Sequence, residues 1–192
     1  MIFTPDDQHR PETGDYSLVQ LVMRAQAGQQ DAFDDLYKQY YKRICDYLTH
    51  MIGDNGTACD LAQESFLKAW QNLLRLREPA TFRSWLYRIA TNLVRDYQRR
   101  TRYVRIYSLD AFPADFPSFS SEESLEAVEA QERLKQALAI LPWRQRACLI
   151  LYHLQNIPKD DIADYIGIKK SSTNTYLSTG IKKLRQLLGE NM

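Results

Sequence analysis

Cysteine, glycine and proline are all scarce in this chain: three, seven and seven among 192 residues. The three cysteines, Cys45, Cys59 and Cys148, are an odd number without metal-ligand spacing, so no disulfide framework is indicated. So little glycine and proline excludes collagen-like and low-complexity chains. No apolar run is long enough to span a bilayer, and the opening MIFTPDDQHRPETGD lacks the basic start and apolar stretch of a signal peptide. The expected compartment is the cytoplasm, without membrane insertion. Catalytic signatures are missing as well. His9, His50 and His153 lie far apart, and there is no glycine-rich phosphate loop, HExxH, nucleophile elbow or clustered carboxylate pair. The chain does not read as an enzyme, and no cofactor, metal or catalytic residue is expected.

What is present is the composition of a folded protein, 44% hydrophobic and 26% charged, with a net charge of +1. That total hides a partition. Residues 1–17 carry −3, 18–105 carry +5, 106–132 carry −7 without one base, and 133–192 carry +6. The first basic block sharpens at its end, where RSWLYRIATNLVRDYQRRTRYVR (83–105) holds seven arginines against one aspartate. Such a run is an electrostatic footprint for polyanions or, alternatively, a solvated helix surface. The acidic stretch contains Pro113, Pro117 and several serines and reads as a connector. Its charge mimics nucleic acid, keeps the two arms apart or merely solubilises; Phe112, Phe116 and Phe119 suggest that part of it docks.

Both basic blocks read at the helical period and neither shows sustained strand alternation, so the expected fold is all-α with two small helical domains. The expected division is a disordered tail at 1–15, a domain at 16–105, a flexible acidic linker at 106–131, and a helix-turn-helix domain at 132–192. In the first domain, stripes run through Leu18, Leu21, Val22 and Ala25, then through Phe33, Leu36, Tyr37, Tyr40, Ile44 and Leu48. A third helix spans about Thr57 to Leu74 and a fourth about Thr81 to Arg100.

At 100° per residue the third helix puts Ala58, Ala62, Ser65, Phe66, Ala69 and Leu73 on a core side. Opposite lie Asp60, Glu64 and Leu67, flanked by Gln63 and Trp70. An apolar contact bordered by charges suits protein docking, unless Trp70 simply tucks under a neighbouring helix. The fourth helix buries Phe82, Leu86, Ile89, Ala90, Leu93 and Tyr97. Arg88, Asn92, Arg95 and Arg99 form a far-side ridge, with Trp85 and Asp96 beside it. Arginine engages phosphate, Asn92 can bond a base edge and Trp85 can stack on an unstacked base, which favours single-stranded or opened DNA. The bland alternative is core filling beside solvent-facing arginines.

The last block has a stripe at Leu134, Ala137, Leu138 and Leu141, then a helix opened by Pro142 that carries Ala147, Cys148, Leu151 and Tyr152. Pro158 starts a helix that ends near Gly167. A second helix, capped by Ser171 or Ser172, buries Thr173, Leu177, Ile181, Leu184 and Leu188. This is helix-turn-helix patterning, or a helical hairpin used only for packing. Its outward face carries Ser171, Thr175, Ser178 and Lys182 with Asn174 nearby, and Lys169 and Lys170 lie in the turn. Major-groove readout by Ser, Thr and Asn is physically possible, but arginine is missing from the first three turns.

These same residues carry a resemblance to a known family. The chain resembles a bacterial RNA polymerase sigma factor of the small, two-domain extracytoplasmic-function class over about residues 18–189. AQAGQQDAFDDLYKQYYKRI resembles the start of the promoter-melting domain. DLAQESFLKAW (60–70) is similar to the polymerase-binding motif, FRSWLYRIATNLVRDYQRR (82–100) to the −10 recognition segment, and ALAILPWRQRACLILYHLQNIPKDDIADYIGI to the entry of the −35 domain. The resemblance implies that Asp60, Gln63, Glu64 and Leu67, with Trp70 at the edge, contact the polymerase's largest subunit. It implies that Arg83, Trp85, Arg88, Asn92, Arg95, Asp96, Arg99 and Arg100 serve the −10 element, with a flipped base held by RLREPAT (75–81). It implies −35 contacts from Lys169, Lys170, Ser171, Ser172, Asn174, Thr175, Ser178 and Lys182.

Implied partners are core RNA polymerase, promoter DNA and an anti-sigma factor or other inhibitor. When active the protein would be nucleoid-associated. The chain departs from the family pattern at Cys59, where an acid is usual, at Pro79 in the loop, and at SSTNTYLSTGIKKL, where the usual run resembles GTVKSRLHRARKKL. The expected function is promoter-directed initiation with strand opening at the −10 element. The alternatives are a non-initiating sigma-like regulator and a polymerase-independent helix-turn-helix regulator.

Overall fold

Helical periodicity becomes eight α-helices in the computed structural model, which describes residues 17–107 and 125–189; no strand occurs among these residues. The first domain holds α1 (Leu18–Gln26), α2 (Gln30–Ile52), α3 (Asn55–Asn72) and α4 (Phe82–Tyr107). Ser17 and Gln20 close α1 with a reciprocal capping box, satisfying amides that the helix itself leaves unpaired. Gly53, at φ 91°, ends α2 in the left-handed region that glycine tolerates without steric cost. Asp54 then caps α3, its carboxylate accepting from Thr57 N–H at 2.7 Å. The Thr57 hydrogen bonds hold the Asp54 carboxyl below its ordinary range. With only Gly53 and Asp54 between them, α2 and α3 pack as neighbours around Ile44, Leu48, Ala58 and Ala62, all fully buried. Each large apolar side chain buried this way stabilises the fold by about 1.5–3 kcal/mol.

The second domain comprises α5 (Leu125–Ile140), α6 (Trp143–Leu149), α7 (Lys159–Ile166) and α8 (Lys170–Leu188); a π-helical segment, Ile150–Leu154, continues α6. Pro142 and Pro158 sit at the N-caps of α6 and α7, where their missing amide protons cost nothing. Gly167 turns the chain from α7 into α8 with φ 67°, which completes a helix-turn-helix. Gly180 lets α8 approach α6 closely: a Cβ there would lie 3.2 Å from Leu149 and 3.3 Å from Gln145.

Several expectations are corrected. The fourth helix does not stop near Arg100 but runs to Tyr107, because no glycine or proline breaks it. Residues 125–131, expected in the flexible linker, form the opening turns of α5. Their LEAVEAQ spacing is helical once the prolines are passed. The rest of the linker from 108 to 124, with Phe112, Phe116 and Phe119, and the 1–15 tail lie outside the described residues. Ser171 and Ser172 do not cap α8: both are inside it, and Lys169 holds the N-cap without a side-chain bond. The turn after Gly167 is two to three residues shorter than expected. Leu134, expected in the buried stripe, is exposed, while Ala137, Leu138 and Leu141 are buried.

The two domains meet along α4. Tyr87, Thr91 and Val94 are fully buried although the expected stripe omitted them. A helix packed on two sides has no single apolar face. The Tyr87 ring lies 5.1 Å from that of Tyr165 of α7, tilted by 53°, and its hydroxyl donates to Gln155 Oε1 at 3.0 Å. Arg146 of α6 donates to the Met51 carbonyl at the end of α2 at 2.7 Å, and to the carbonyls of Leu141 and Ala139 in its own domain. Burial lowers its pKa.

Candidate functional site

On α3 the phase argument is met residue by residue. Ala58, Ala62, Ser65, Phe66, Ala69 and Leu73 are buried, while Asp60, Gln63 and Glu64 are exposed. Leu67 is 56% and Trp70 40% exposed, so an apolar centre stands in an acidic frame. Trp70 does both things considered for it: its ring rests on Phe33 at 4.8 Å, yet its outer surface stays open. Glu64 pairs with Lys68 at 2.9 Å, a surface contact worth little in stability. Leu74, 80% exposed and one turn beyond Trp70, extends the apolar strip; the sequence reading missed it by placing it at the helix end.

On α4 the expected ridge is exposed at Arg88, Asn92, Arg95, Arg99 and Arg100, but it divides into two aspects. One aspect looks into a cleft of about 370 Å³ between α4 and the end of α3. Trp85, Ile89, Asn92, Leu93 and Asp96 form its α4 wall; Lys68, Asn72 and Arg75 form the other. The sequence could not name those three, because one helix's phase does not say which neighbour it will face. The cleft combines an aromatic face, two amides, two cations and the Asp96 carboxylate, a chemistry that suits an unstacked base and its phosphate. Arg95 Nη1 lies 3.5 Å from Asn92 Oδ1, and Arg99 pairs with Asp96 at 3.2 Å.

The second aspect of α4 meets the other domain. The Arg95 guanidinium lies 4.6 Å over the ring of Trp143, and that of Arg83 5.6 Å over Tyr165. The buried Arg83 Nε has no hydrogen-bond partner. Arg88 runs alongside Gly167, where a Cβ would sit 3.5 Å from its Nε. Three of the eight residues expected at the −10 element therefore face the helix-turn-helix domain, while Trp85, Asn92 and Asp96 face the cleft.

The loop before α4 is a defined turn. A 3₁₀ turn at Pro79–Thr81 is closed by Thr81 N–H and Oγ1 donating to the Glu78 carbonyl at 2.9 and 2.8 Å. Gln26 of α1 ties the preceding stretch down by donating to the Leu73 and Leu76 carbonyls at 3.0 and 2.8 Å. This anchoring holds Arg75 at the cleft's mouth.

On α8 the expected outward residues Ser171, Asn174, Thr175, Ser178 and Lys182 are exposed, as are Lys169 and Lys170; Ser172 is half-buried. The hydroxyls of Ser178 and Thr179 both donate to the Thr175 carbonyl, at 3.2 and 2.6 Å. The Ser178 proton is thus spent within the helix, and Thr179 Oγ1 also accepts from Gln145 Nε2 of α6 at 3.2 Å. Lys170 lies 3.8 Å from Asp164. Compared with α4, this is a faintly charged surface.

Among the described residues no group of His, Cys, Asp and Glu is placed to hold a metal ion, and no helix is long and apolar enough to cross a membrane. Against known proteins, residues 36–103 match Sigma-70 region 2 and residues 131–184 match Sigma-70, region 4. The chain is 32% identical over 162 residues to the RNA polymerase sigma factor YlaC of Bacillus subtilis, spanning 81% of this chain and 91% of that protein. It is 30% identical over 176 residues to the ECF RNA polymerase sigma factor BldN of Streptomyces coelicolor, spanning 91% and 67%. In fold it is similar to the sigma factor RpoE of Bartonella quintana, solved in complex with the anti-sigma factor NepR. The TM-score is 0.67 at 20% identity over 83% of this chain and 98% of that one.

Proposed function

Because the chain belongs to the extracytoplasmic-function class of RNA polymerase sigma factors, we propose a division of labour among its surfaces in directing the polymerase to promoters. The polymerase carries out the chemistry, and this protein is not an enzyme. Asp60, Gln63, Glu64 and Leu67, edged by Trp70, form the docking face for core polymerase. The observation that supports this is an exposed leucine and half-open tryptophan set among acids on one helix face.

Strand opening at the −10 element belongs to α4. The observation that carries this reading is the cleft lined by Trp85, Asn92, Asp96, Lys68 and Arg75 on the open side of the ridge. A base leaves the duplex stack only if it finds equivalent partners outside it; the indole supplies a stacking surface and Asn92 a donor and acceptor. Arg99 and Arg100, beyond the cleft, hold the adjoining phosphates. Parting the two domains gives Arg83, Arg88 and Arg95 to the DNA backbone as well. Residues 169–182 of the second domain meet the −35 element, Lys169, Lys170 and Lys182 at phosphates, and Ser171, Ser172, Asn174, Thr175 and Ser178 at the groove. The acidic connector between α4 and α5 is assigned to the path that nucleic acid follows through polymerase. An anti-sigma factor restrains the protein, in keeping with the NepR complex of the similar RpoE.

Substituting Asn92 and Arg99 together with alanine tests the opening step. Promoter-directed initiation with core polymerase should fall by about tenfold or more, while polymerase binding is retained. Unchanged initiation overturns the assignment. A second reading, a sigma-like regulator that occupies polymerase without initiating, is favoured by the internally bonded hydroxyls of α8. It predicts binding to polymerase with no transcript start at any promoter of the source genome. A polymerase-independent regulator instead predicts tight duplex binding by the free protein.

A further inference from the structure

Two of the three cysteines, fourteen residues apart, meet in space. Cys45 lies in the middle of α2 and Cys59 in the second turn of α3, and their sulfurs are 2.9 Å apart. Both side chains are half-buried. The third cysteine, Cys148, is fully buried in the other domain. The pair sits in a polar pocket. Thr49 Oγ1 donates to the Cys45 carbonyl at 2.9 Å and to Asn55 Oδ1 at 3.3 Å; Asn55 Oδ1 lies 3.9 Å from the Cys59 sulfur. The two-residue connection at Gly53–Asp54 sets the two helices side by side and brings the two sulfurs into contact.

We propose that Cys45 and Cys59 are a reversible oxidation site that closes into an intramolecular disulfide between α2 and α3 when the protein meets a peroxide. A sulfur–sulfur bond is about 2.05 Å long, so closure asks for a movement of under about 1 Å. The two thiols have unlike roles. Burial, and then the hydrogen bond with Cys59, push the Cys45 thiol up to about 12, so it keeps its proton. Cys59, in the second turn of α3, is the attacking group. On giving up its proton the Cys59 sulfur attacks one peroxide oxygen, the O–O bond breaks, and the departing hydroxide takes up that proton as water, leaving a sulfenic acid on Cys59. The Cys45 sulfur then attacks that sulfur; the S–O bond breaks, and the oxygen leaves as water with the Cys45 proton. Two thiols are oxidised by two electrons in total, and one peroxide is reduced to two waters. A dithiol reductant reverses the bond by exchange. In a reducing compartment, such a bond is transient and forms only under oxidant exposure. The site lies one residue before Asp60, yet the inference does not depend on polymerase docking there.

The chain itself supplies a clean assay. No lysine or arginine falls between Arg43 and Lys68, so trypsin leaves both cysteines in one peptide, residues 44–68. The full-length protein, reduced and then exposed to hydrogen peroxide without denaturant, is blocked with N-ethylmaleimide and digested. The expected peptide is lighter by two hydrogens and carries no maleimide, and prior dithiothreitol restores two maleimides. The thermal midpoint of the oxidised protein should rise by about 5–10 °C, since the bond constrains the unfolded chain. Cys45→Ser should abolish both changes and leave Cys59 as a sulfenic acid or a mixed disulfide. Three outcomes overturn the proposal: two maleimides on the wild-type peptide at every peroxide dose, covalent dimers in place of the internal bond, or direct passage of Cys59 to sulfinic acid.

Discussion

Helices α4 and α8 are both assigned to DNA, and they are built on different chemistry. From Arg83 to Arg100, α4 carries five arginines, a tryptophan and an asparagine above a cleft, whereas the outward side of α8 carries serine, threonine, asparagine and lysine. Charge and an aromatic surface can hold a strand that has left the duplex. Neutral hydroxyls, one of which (Ser178) is already bonded within its own helix, offer a duplex less electrostatic attraction. On the reading proposed above, the contrast predicts a larger share of DNA affinity in the first domain than in the second.

Breaking α4 should have the largest effect. Trp85→Ala removes the stacking surface of the cleft, and open-complex formation should fall by about tenfold to a hundredfold, on a stacking contribution of about 1–3 kcal/mol per base. Permanganate reactivity of the promoter measures it directly. The wild-type level of opening in that variant removes the tryptophan from the mechanism. On α8 the comparison can be sharpened by adding what is absent. Ser178→Arg should strengthen duplex binding and steepen its salt dependence by about one unit of slope, because one more phosphate is neutralised. Lys182→Ala should do the reverse, lowering the slope by about one while leaving the preferred promoter unchanged. The smallest effect comes at the start of α8. Lys169→Ser supplies the missing N-cap and should raise stability by about 0.5–1 kcal/mol in thermal denaturation, while weakening promoter binding slightly through the lost charge. If stability falls instead, the Lys169 side chain has a structural duty that the contacts of α8 do not reveal.

Most of what is local was legible beforehand. The buried and exposed sides of α3 follow from phase alone, as do the exposed arginines of α4 and the turn at Gly167. What escaped depends on neighbours. Tyr87, Thr91 and Val94 are buried because α7 and α2 enclose α4 from a second direction, and no one-face pattern anticipates that. Leu134 is exposed although its phase suits the core, since α5 presents only part of its stripe to α8. Lys68, Asn72 and Arg75 join the site because the α3 end lies beside α4. The Cys45–Cys59 contact hides behind a spacing of fourteen, which has meaning only once α2 and α3 are laid together. The serines of α8 were misread as caps because cap chemistry was matched to sequence before the length of the turn was known.

Consider last how the guanidinium of Arg146 is shared. Met51's carbonyl accepts from it, but that oxygen also accepts from Gln98 at 3.1 Å within the first domain. Arg146 in turn retains the Leu141 and Ala139 carbonyls of its own domain. When the seam unzips, neither side is left with a stranded partner in a dry interior, and Tyr87 and Gln155 can exchange each other for water. The seam thus joins replaceable polar bonds to a continuous apolar contact in which Tyr87, Val94 and Tyr165 are buried.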